Sequence, residues 1–305
     1  MFQNTATRPY VQQFSFLDII IGMNEILITK NSGEKEPFAE EKLRNSLLRS
    51  GAGQNLAEKI IPVIKEEIKN GVLTSTADVY RRAWKILRKE SRVTASRYHL
   101  RRAIMEMGPS GHPFERFVAR VFESRGYKTA VSVIVSGTCV SHEIDVVAEN
   151  KAEKIAIECK FHNQLGIKSD VKTALYVQAR FEDIRKSGKD SFSEIWLVTN
   201  TKLSKDATQY GECVGMKMLA WSYPARGNLQ ELVENAGLHP VTCVTGLSSG
   251  QKRFLCERGA VLCRDIIERP EALRDFNFSV GKKQRIINEA KNIIESMNSR
   301  IAQER

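Results

Sequence analysis

The chain has 305 residues, of which 42% are hydrophobic and 27% are charged, a composition typical of a globular protein with two or more domains. Its 47 Lys and Arg against 36 Asp and Glu give a formal net charge of +11, which favours phosphate-rich partners. Its apolar runs are all shorter than the roughly 20 residues that span a bilayer, and its six Cys form no Cys-x-x-Cys pair. These features exclude a membrane span and a Cys-based zinc module, and we expect a cytoplasmic protein.

The first predicted element is a strand over residues 24–30, NEILITK, and the following NSGEKEP predicts a turn. Four amphipathic helices come next, with the sequences AEEKLRNSLLRSG, LAEKIIPVIKEEIKNG, TSTADVYRRAWKILRK and TASRYHLRRAIMEMG. Residues 24–108 therefore predict one small, mostly helical domain. Residues 1–23 fit no element of this pattern, and we interpret them as an N-terminal extension.

The pattern changes after residue 108, where strands begin to alternate with helices. The helix PFERFVARVFESRGY is followed by three strand-like runs, KTAVSVIVSG, SHEIDVVAE and KIAIECKF. A long helix then precedes SEIWLVTN, a continuous apolar run of the kind found in central strands. Residues 109–225 therefore predict an α/β domain, and the whole chain is predicted to be a multi-domain α/β protein.

Residues 226–305 predict a helical C-terminal region. Its last helix, KKQRIINEAKNIIESMNSRIAQ, carries an apolar stripe formed by Ile286, Ala290, Ile293, Met297 and Ile301. We expect this stripe to pack against its own domain, and a homodimer formed through it is the alternative.

The hairpin HEIDVVAENKAEKIAIECKF concentrates acidic residues in a basic chain. Alternate side chains share one face of a strand, so Glu158 and Lys160 project together, and pairing of the strands brings Asp145 close to Glu158. Two adjacent carboxylates repel each other unless a hard divalent cation such as Mg²⁺ or Mn²⁺ binds between them. Such a cation would polarise a phosphodiester, and Lys160 would hold the attacking water.

Ordinary surface charge is the alternative interpretation of this hairpin, because short patterns of Asp, Glu and Lys also occur by chance. The same alternation of side chains predicts that Ile144 and Val146 share the face opposite Asp145.

Asp145 followed by Glu158-Cys159-Lys160 resembles the motif of the PD-(D/E)XK nuclease superfamily. More closely, residues 111–222 resemble the Mrr-like restriction endonuclease catalytic domain, through the segments GHPFERFVARVFESRGYKTAV, HEIDVVAE, IAIECKFHNQ and WLVTNTKLSKDATQYG.

This resemblance implies cleavage of double-stranded DNA and a restriction-endonuclease-like α/β fold. It also implies that Glu115, on the preceding helix, completes or supports the metal site, and that the carbonyl of Cys159 is an extra ligand. A Pro that precedes the motif Asp in the superfamily is absent here, where Ile144 stands.

Residues near the motif are candidates for contact with the DNA backbone, and they are His162, Lys168 and Lys172. A solvated loop or helix face is the alternative interpretation of each.

The N-terminal segment ILITKNSGEKEPFAEEKLRNSLLRSG, with the closing RVTASRYHLRRAI, resembles the ATP-cone, a nucleotide-binding regulatory domain known from ribonucleotide reductases. The resemblance covers residues 24–108 and implies ATP or dATP as a regulatory ligand. The residues that match the family's binding pattern are Lys30, Gly33, Phe38 and Lys42. The positions that depart from it are Asn31, Ser32 and Ala39, and the loss of the family's Arg removes a bidentate phosphate donor.

We therefore predict a metal-dependent, restriction-type DNA endonuclease regulated by ATP or dATP. A non-catalytic, nucleotide-sensing DNA-binding regulator is the alternative, because it would keep the basic surface and the N-terminal domain without cutting. The intact set of Asp145, Glu158 and Lys160 favours the enzyme.

Overall fold

The computed structural model describes residues 26–30, 33–164 and 166–303, so the predicted extension over residues 1–23 lies outside the described residues. The first described elements are an antiparallel pair, β1 (Leu27–Thr29) and β2 (Lys35–Pro37). Four helices follow, and they are α1 (Glu40–Arg49), α2 (Gln54–Lys69), α3 (Thr76–Glu90) and α4 (Arg92–Met105). The first strand and the four helices agree with the prediction, whereas Lys35–Pro37, which the sequence analysis assigned to the turn, forms the second strand of a hairpin.

Local signals determine where these helices begin and end. The Ser75 hydroxyl accepts the amide of Asp78, and the Asp78 carboxylate accepts the amide of Ser75, which forms a capping box at the start of α3. After α1, Gly51 adopts the left-handed conformation with a φ of 85°, which a residue with a side chain rarely adopts. The apolar faces of the helices enclose a core that includes Leu47, Ile60, Ile64, Ala83 and Leu87.

The central sheet has five strands in the order β3-β4-β5-β7-β9. Their bounds are β3 (Lys128–Ser136), β4 (Ser141–Glu149), β5 (Lys154–Lys160), β7 (Glu194–Thr199) and β9 (Lys217–Leu219). The first three strands pair antiparallel and the last three pair parallel. A separate parallel pair is formed by β6 (Lys168–Ser169) and β8 (Lys202–Leu203).

Helices cover both faces of this sheet. One face carries α5 (His112–Glu123), and the other carries α6 (Val171–Ser187) and α7 (Lys205–Val214). The larger core, on the α5 face, includes Phe117, Phe122, Val146, Ile155 and Ile157. The clusters on the other face include Val135, Ala156, Val177, Ile184 and Leu197.

The C-terminal region is helical, as predicted. Its helices are α8 (Leu229–Asn235), α9 (Ser249–Glu257), α10 (Cys263–Glu268) and α11 (Val280–Gln303). The α11 residues Ile286, Ala290 and Ile293 are buried in the larger core, which places this part of the stripe against its own chain. The side chains of Met297 and Ile301 lie outside the described part. No helix in the described ranges is long and apolar enough to cross a membrane.

Helix α4 contributes to both of the main cores. Ala95 packs with the N-terminal helices, whereas Leu100 and Ile104 pack in the larger core with α5 and α11. The hydroxyl of Thr242 also donates to the carbonyl of Ala103 at 2.5 Å. The N-terminal helices are thereby held against the C-terminal region.

Candidate active site

An irregularity in strand β4 positions the first acidic residue of the motif. The ladder between β3 and β4 skips the position where Ser132 faces Asp145, and Ser132 has a φ of 53°. On either side of Asp145, Ile144 packs with Val147, while Val146 packs in the core on the opposite face. The prediction that Ile144 and Val146 share a face is therefore wrong, because this break shifts the alternation of side chains.

The Asp145 side chain turns toward strand β5. Its Oδ2 accepts the backbone N–H of Cys159 at 2.7 Å. Burial raises the pKa of Asp145 to about 6, the hydrogen bond from Cys159 opposes the rise, and the charge of Glu115 adds to it. Because the N–H and C=O of one strand residue point toward the same neighbouring strand, the carbonyl of Cys159 faces the side of Asp145.

Glu158 lies on β5 and pairs with an arginine that the motif did not reveal. Arg180 Nη1 lies 2.5 Å from Glu158 Oε2, and Arg180 Nη2 donates to the carbonyl of Glu143. Burial raises the pKa of Glu158 to about 7, and the charge of Asp145 adds to the rise, although Arg180 opposes it. Arg180 follows Val177 by three residues and so lies toward the buried side of α6. An arginine at such a position needs an anionic partner, and this spacing is the signal in the sequence that could have identified Arg180.

Lys160 ends strand β5 on an exposed part of the surface. The chain just beyond it is held by Asn200, which is 1% exposed. Asn200 Oδ1 accepts the N–H of His162 at 2.9 Å, and Asn200 Nδ2 donates to the carbonyl of His162 at 2.7 Å. This pair of hydrogen bonds fixes the strand end that carries Lys160.

Helix α5 supplies the predicted third carboxylate. Glu115 lies in the first turn of α5, its side chain is 13% exposed, and its Oε2 lies 3.1 Å from His112 Nδ1. The negative charge of Glu115 raises the pKa of both Asp145 and Glu158. The three predicted carboxylates, Glu115, Asp145 and Glu158, therefore lie close enough for their charges to interact.

The donor set fits Mg²⁺ or Mn²⁺ better than a softer metal. Among the residues that the structure describes, no three His, Cys, Asp or Glu side chains gather closely enough to hold a metal by themselves. Mg²⁺ ordinarily takes only one or two carboxylates, and water and substrate phosphate complete its shell. Asp145 and Glu158 meet this requirement, and their raised pKa values show that the site favours additional positive charge.

Two of the three predicted DNA contacts are open to solvent. Lys168 on β6 and Lys172 in the first turn of α6 are exposed. His162 is half-buried, its Nε2 lies 3.0 Å from the hydroxyl of Ser169, and burial lowers its pKa. The two lysines are therefore better placed than His162 to meet a phosphate.

The predicted nucleotide-binding residues lie around the β1–β2 turn and the start of α1. Gly33 forms the turn with a φ of 85°, and Phe38 packs against the helical core. Lys30 Nζ lies 2.9 Å from Glu36 Oε2, and Lys42 Nζ lies 3.8 Å from the same oxygen. The charges of both lysines are thus already opposed by a carboxylate of this chain.

Comparison with known proteins agrees with this description of the sheet and its helices. Residues 107–222 match a family model described as restriction endonuclease, Mrr catalytic domain. This match defines that part of the chain as nuclease-like at the level of the family. Residues 239–294 match a model described as AF1548-like, C-terminal.

The chain is 42% identical over 178 residues to an uncharacterized protein of Archaeoglobus fulgidus, which corresponds to 58% of this chain and 99% of the relative. It is 40% identical to the crystal structure of the protein of unknown function AF1548, with a TM-score of 0.53, over 61% of this chain and 100% of the other. The chain therefore belongs to the AF1548-like family.

Proposed function

We propose that the protein is a metal-dependent DNA endonuclease of the restriction type. The observation that carries this proposal is the pair of desolvated carboxylates Asp145 and Glu158, with Lys160 at the end of the same strand, inside a domain that matches restriction endonucleases. Two adjacent buried carboxylates lower the stability of a fold, because their charges repel each other and are poorly solvated. Such a pair is therefore expected to serve in binding or catalysis.

Asp145 and Glu158 would hold Mg²⁺ or Mn²⁺, with the carbonyl of Cys159 as a further ligand. A bound divalent cation supplies polarisation of the phosphodiester and a lowered pKa of bound water. Lys160 orients the attacking water and places a positive charge near the phosphate. Glu115 supports the site through its negative charge on the helix that faces the hairpin.

Double-stranded DNA is the proposed substrate. The net charge of +11 favours association with the phosphate backbone through release of counterions. The exposed Lys168 and Lys172 lie beyond the end of strand β5, where they are available to backbone phosphates.

Regulation by ATP or dATP is the second part of the proposal. Its support is the arrangement of residues 26–105, a short hairpin followed by four helices, together with the sequence resemblance to the ATP-cone. Packing of α4 into the larger core provides the physical connection that such regulation requires.

A plasmid-nicking assay with Mg²⁺ tests the catalytic proposal. We expect wild type to cut and Asp145→Asn to be inactive, while Glu149→Gln, an exposed carboxylate on the same strand, cuts like wild type. If wild type and Asp145→Asn are equally inert on methylated and unmethylated plasmid, the non-catalytic DNA-binding regulator replaces the enzyme.

A further inference from the structure

One face of helix α3 carries a row of cations. Arg81, Lys85 and Arg88 follow each other at intervals of four and three residues, a spacing that places side chains on the same side of a helix. Lys89 lies beside this row, and all four side chains are exposed. The opposite side of α3 is apolar and is buried in the N-terminal core. The cations therefore project into solvent, away from the rest of the protein.

The basic surface continues from α3 onto two further helices. Arg92 begins α4 directly after α3, and 61% of its side chain is exposed. A cleft of about 160 Å³ has Arg92 on one side and Arg285, Asn288 and Asn292 of α11 on the other. Arg285 is exposed as well. The six cations of this surface form what we call the basic face, and they are Arg81, Lys85, Arg88, Lys89, Arg92 and Arg285.

Carboxylates of the chain neutralise little of the charge on α3. Lys85, Arg88 and Lys89 form no ion pair with any residue that the structure describes. Arg81 pairs with Asp78, whose carboxylate also caps the start of the helix. Three adjacent positive charges on α3 are therefore left to solvent or to a partner.

The charges next to α4 and α11 are also weakly compensated. Arg92 Nη1 lies 3.9 Å from Glu289 Oε2, but the Glu289 carboxylate already accepts the amides of Thr245 and Gly246 at 2.8 Å and 3.1 Å. Arg285 donates to a backbone carbonyl of its own helix and has no ion pair within the described ranges. The whole face is thus suited to a partner with many negative charges.

We propose that the basic face binds the phosphate backbone of double-stranded DNA. The inference rests on the proposed function, in which DNA is the substrate, and it adds a DNA contact outside the nuclease-like residues 107–222. Phosphates of one strand recur about every 3.4 Å along the duplex, and the row from Arg81 to Arg88 is about 10 Å long. Each cation of the row can therefore meet a different phosphate.

Two features of α3 favour duplex DNA over other polyanions. The row contains no aromatic side chain on which an unpaired base could stack, whereas grooves for single strands combine cations with aromatic rings. The apolar side of α3 is buried in the protein and is not available to enter a lipid bilayer. Because contacts to phosphate carry no sequence information, binding at this face is expected to be independent of DNA sequence.

Binding of fluorescently labelled duplexes in EDTA, which prevents metal-dependent cleavage, tests the proposal. We expect the double variant Lys85→Gln/Lys89→Gln to reduce the slope of log affinity against log salt by about 2, because each phosphate contact contributes about 0.9. Two duplexes of unrelated sequence should be affected equally. An unchanged slope in this variant overturns the proposal.

A matched control removes the same charge from another helix of the same domain. Lys59 and Lys69 are exposed lysines of α2, and Lys59→Gln/Lys69→Gln should keep the wild-type slope. An equal change of slope in the control would show that net charge, rather than the basic face, determines binding, and would overturn the proposal. Lys85→Arg/Lys89→Arg keeps both charges and should bind like wild type, whereas weakened binding in it would indicate a structural role for the lysines.

Other polyanions test the assignment of the partner. Tighter binding of a single-stranded oligonucleotide than of the duplex, with the same dependence on Lys85 and Lys89, would overturn the duplex assignment. Binding of phosphatidylserine vesicles that is lost in Lys85→Gln/Lys89→Gln, while duplex binding persists, would assign the face to a membrane surface instead. We expect neither result, and we expect the melting temperature of the double variant to equal that of wild type, since these side chains form no ion pair with a described residue.

The same measurements separate this inference from the nuclease proposal. In the Asp145→Asn background we expect substitution of the two lysines to cause the same loss of slope, because Asp145 is not part of the basic face. Duplex binding that depends on Lys85 and Lys89, in a wild-type protein that never cuts, removes the nuclease proposal alone. Plasmid cleavage by wild type, together with an unchanged slope in Lys85→Gln/Lys89→Gln, removes the inference alone.

Discussion

Arg180 on helix α6 lies 2.5 Å from Glu158 on strand β5 and also donates to the carbonyl of Glu143 on strand β4. A single guanidinium thus ties a helix to both strands of the acidic hairpin. It supplies the positive charge that Glu158 contacts directly, at the position where we propose a divalent cation to bind. Arg180 and a bound divalent cation are therefore both expected to neutralise the negative charge of Glu158.

Substituting Arg180 tests this relationship. We expect Arg180→Met, without metal, to lower the free energy of unfolding by about 3 kcal/mol, because it leaves a desolvated carboxylate unpaired. Mg²⁺ should stabilise the variant more than wild type, and chelation by EDTA should remove this gain. Urea unfolding with Mg²⁺ or EDTA measures both effects. Arg185→Met, an exposed arginine on the same helix, is the control, and equal effects in both variants would contradict the prediction.

Lys160 is expected to act on the reaction more than on DNA binding. Lys160→Met should lower the rate of plasmid cleavage about 100-fold or more, which is the usual effect of removing a group that stabilises transition-state charge. Binding of DNA should change little, because one of many phosphate contacts is lost. Cleavage kinetics and a DNA-binding titration measure the two effects, and Lys151→Met at the exposed turn is the control. An equal loss in cleavage and binding would assign Lys160 to DNA binding alone.

Asn200 is expected to position the end of strand β5. Asn200→Ala leaves the N–H and C=O of His162 without their partner, which should cost about 1–3 kcal/mol of stability. Cleavage should fall as well, because Lys160 lies two residues before His162. Denaturant unfolding and plasmid nicking measure these effects. Asn163→Ala, an exposed neighbour, should leave both unchanged, and wild-type activity in Asn200→Ala would show that the strand end needs no such support.

His239 gives the protein a pH dependence that does not involve the candidate active site. Its ring is fully buried, and burial lowers its pKa to about 4. The unfolded chain therefore binds a proton below about pH 6.5, while the folded protein does so only near pH 4. Stability should fall by roughly 3 kcal/mol as the pH falls through this window.

Urea unfolding at several pH values between 4 and 7 checks this expectation, with His239→Leu as the comparison. The variant should lose less stability over the window, because it has no buried imidazole to protonate. His112→Gln, an exposed histidine, should behave like wild type. Parallel curves for wild type and His239→Leu would contradict the assignment.

Much of the architecture could be predicted because its signals are local. The helices of residues 40–105 were visible from apolar spacing, and Ser75 and Gly51 mark their ends by cap chemistry. Strands β4 and β5 were visible as a hairpin that carries Asp145 and Glu158. The side-chain directions predicted from simple alternation were wrong around Asp145. The break in pairing between Ser132 on β3 and Asp145 on β4 depends on both strands, so the sequence of β4 alone does not reveal it.

The sequence by itself determined the order of helices and strands, the basic charge and the acidic motif, since these follow from residue type and spacing along the chain. Only the tertiary structure decided which distant groups meet. It placed Arg180 on Glu158, buried Asn200 against His162, and gathered arginines of α1 and α4 opposite Trp221. The physical reason is that burial and pairing of charge depend on neighbours far away in the chain, which no local pattern specifies.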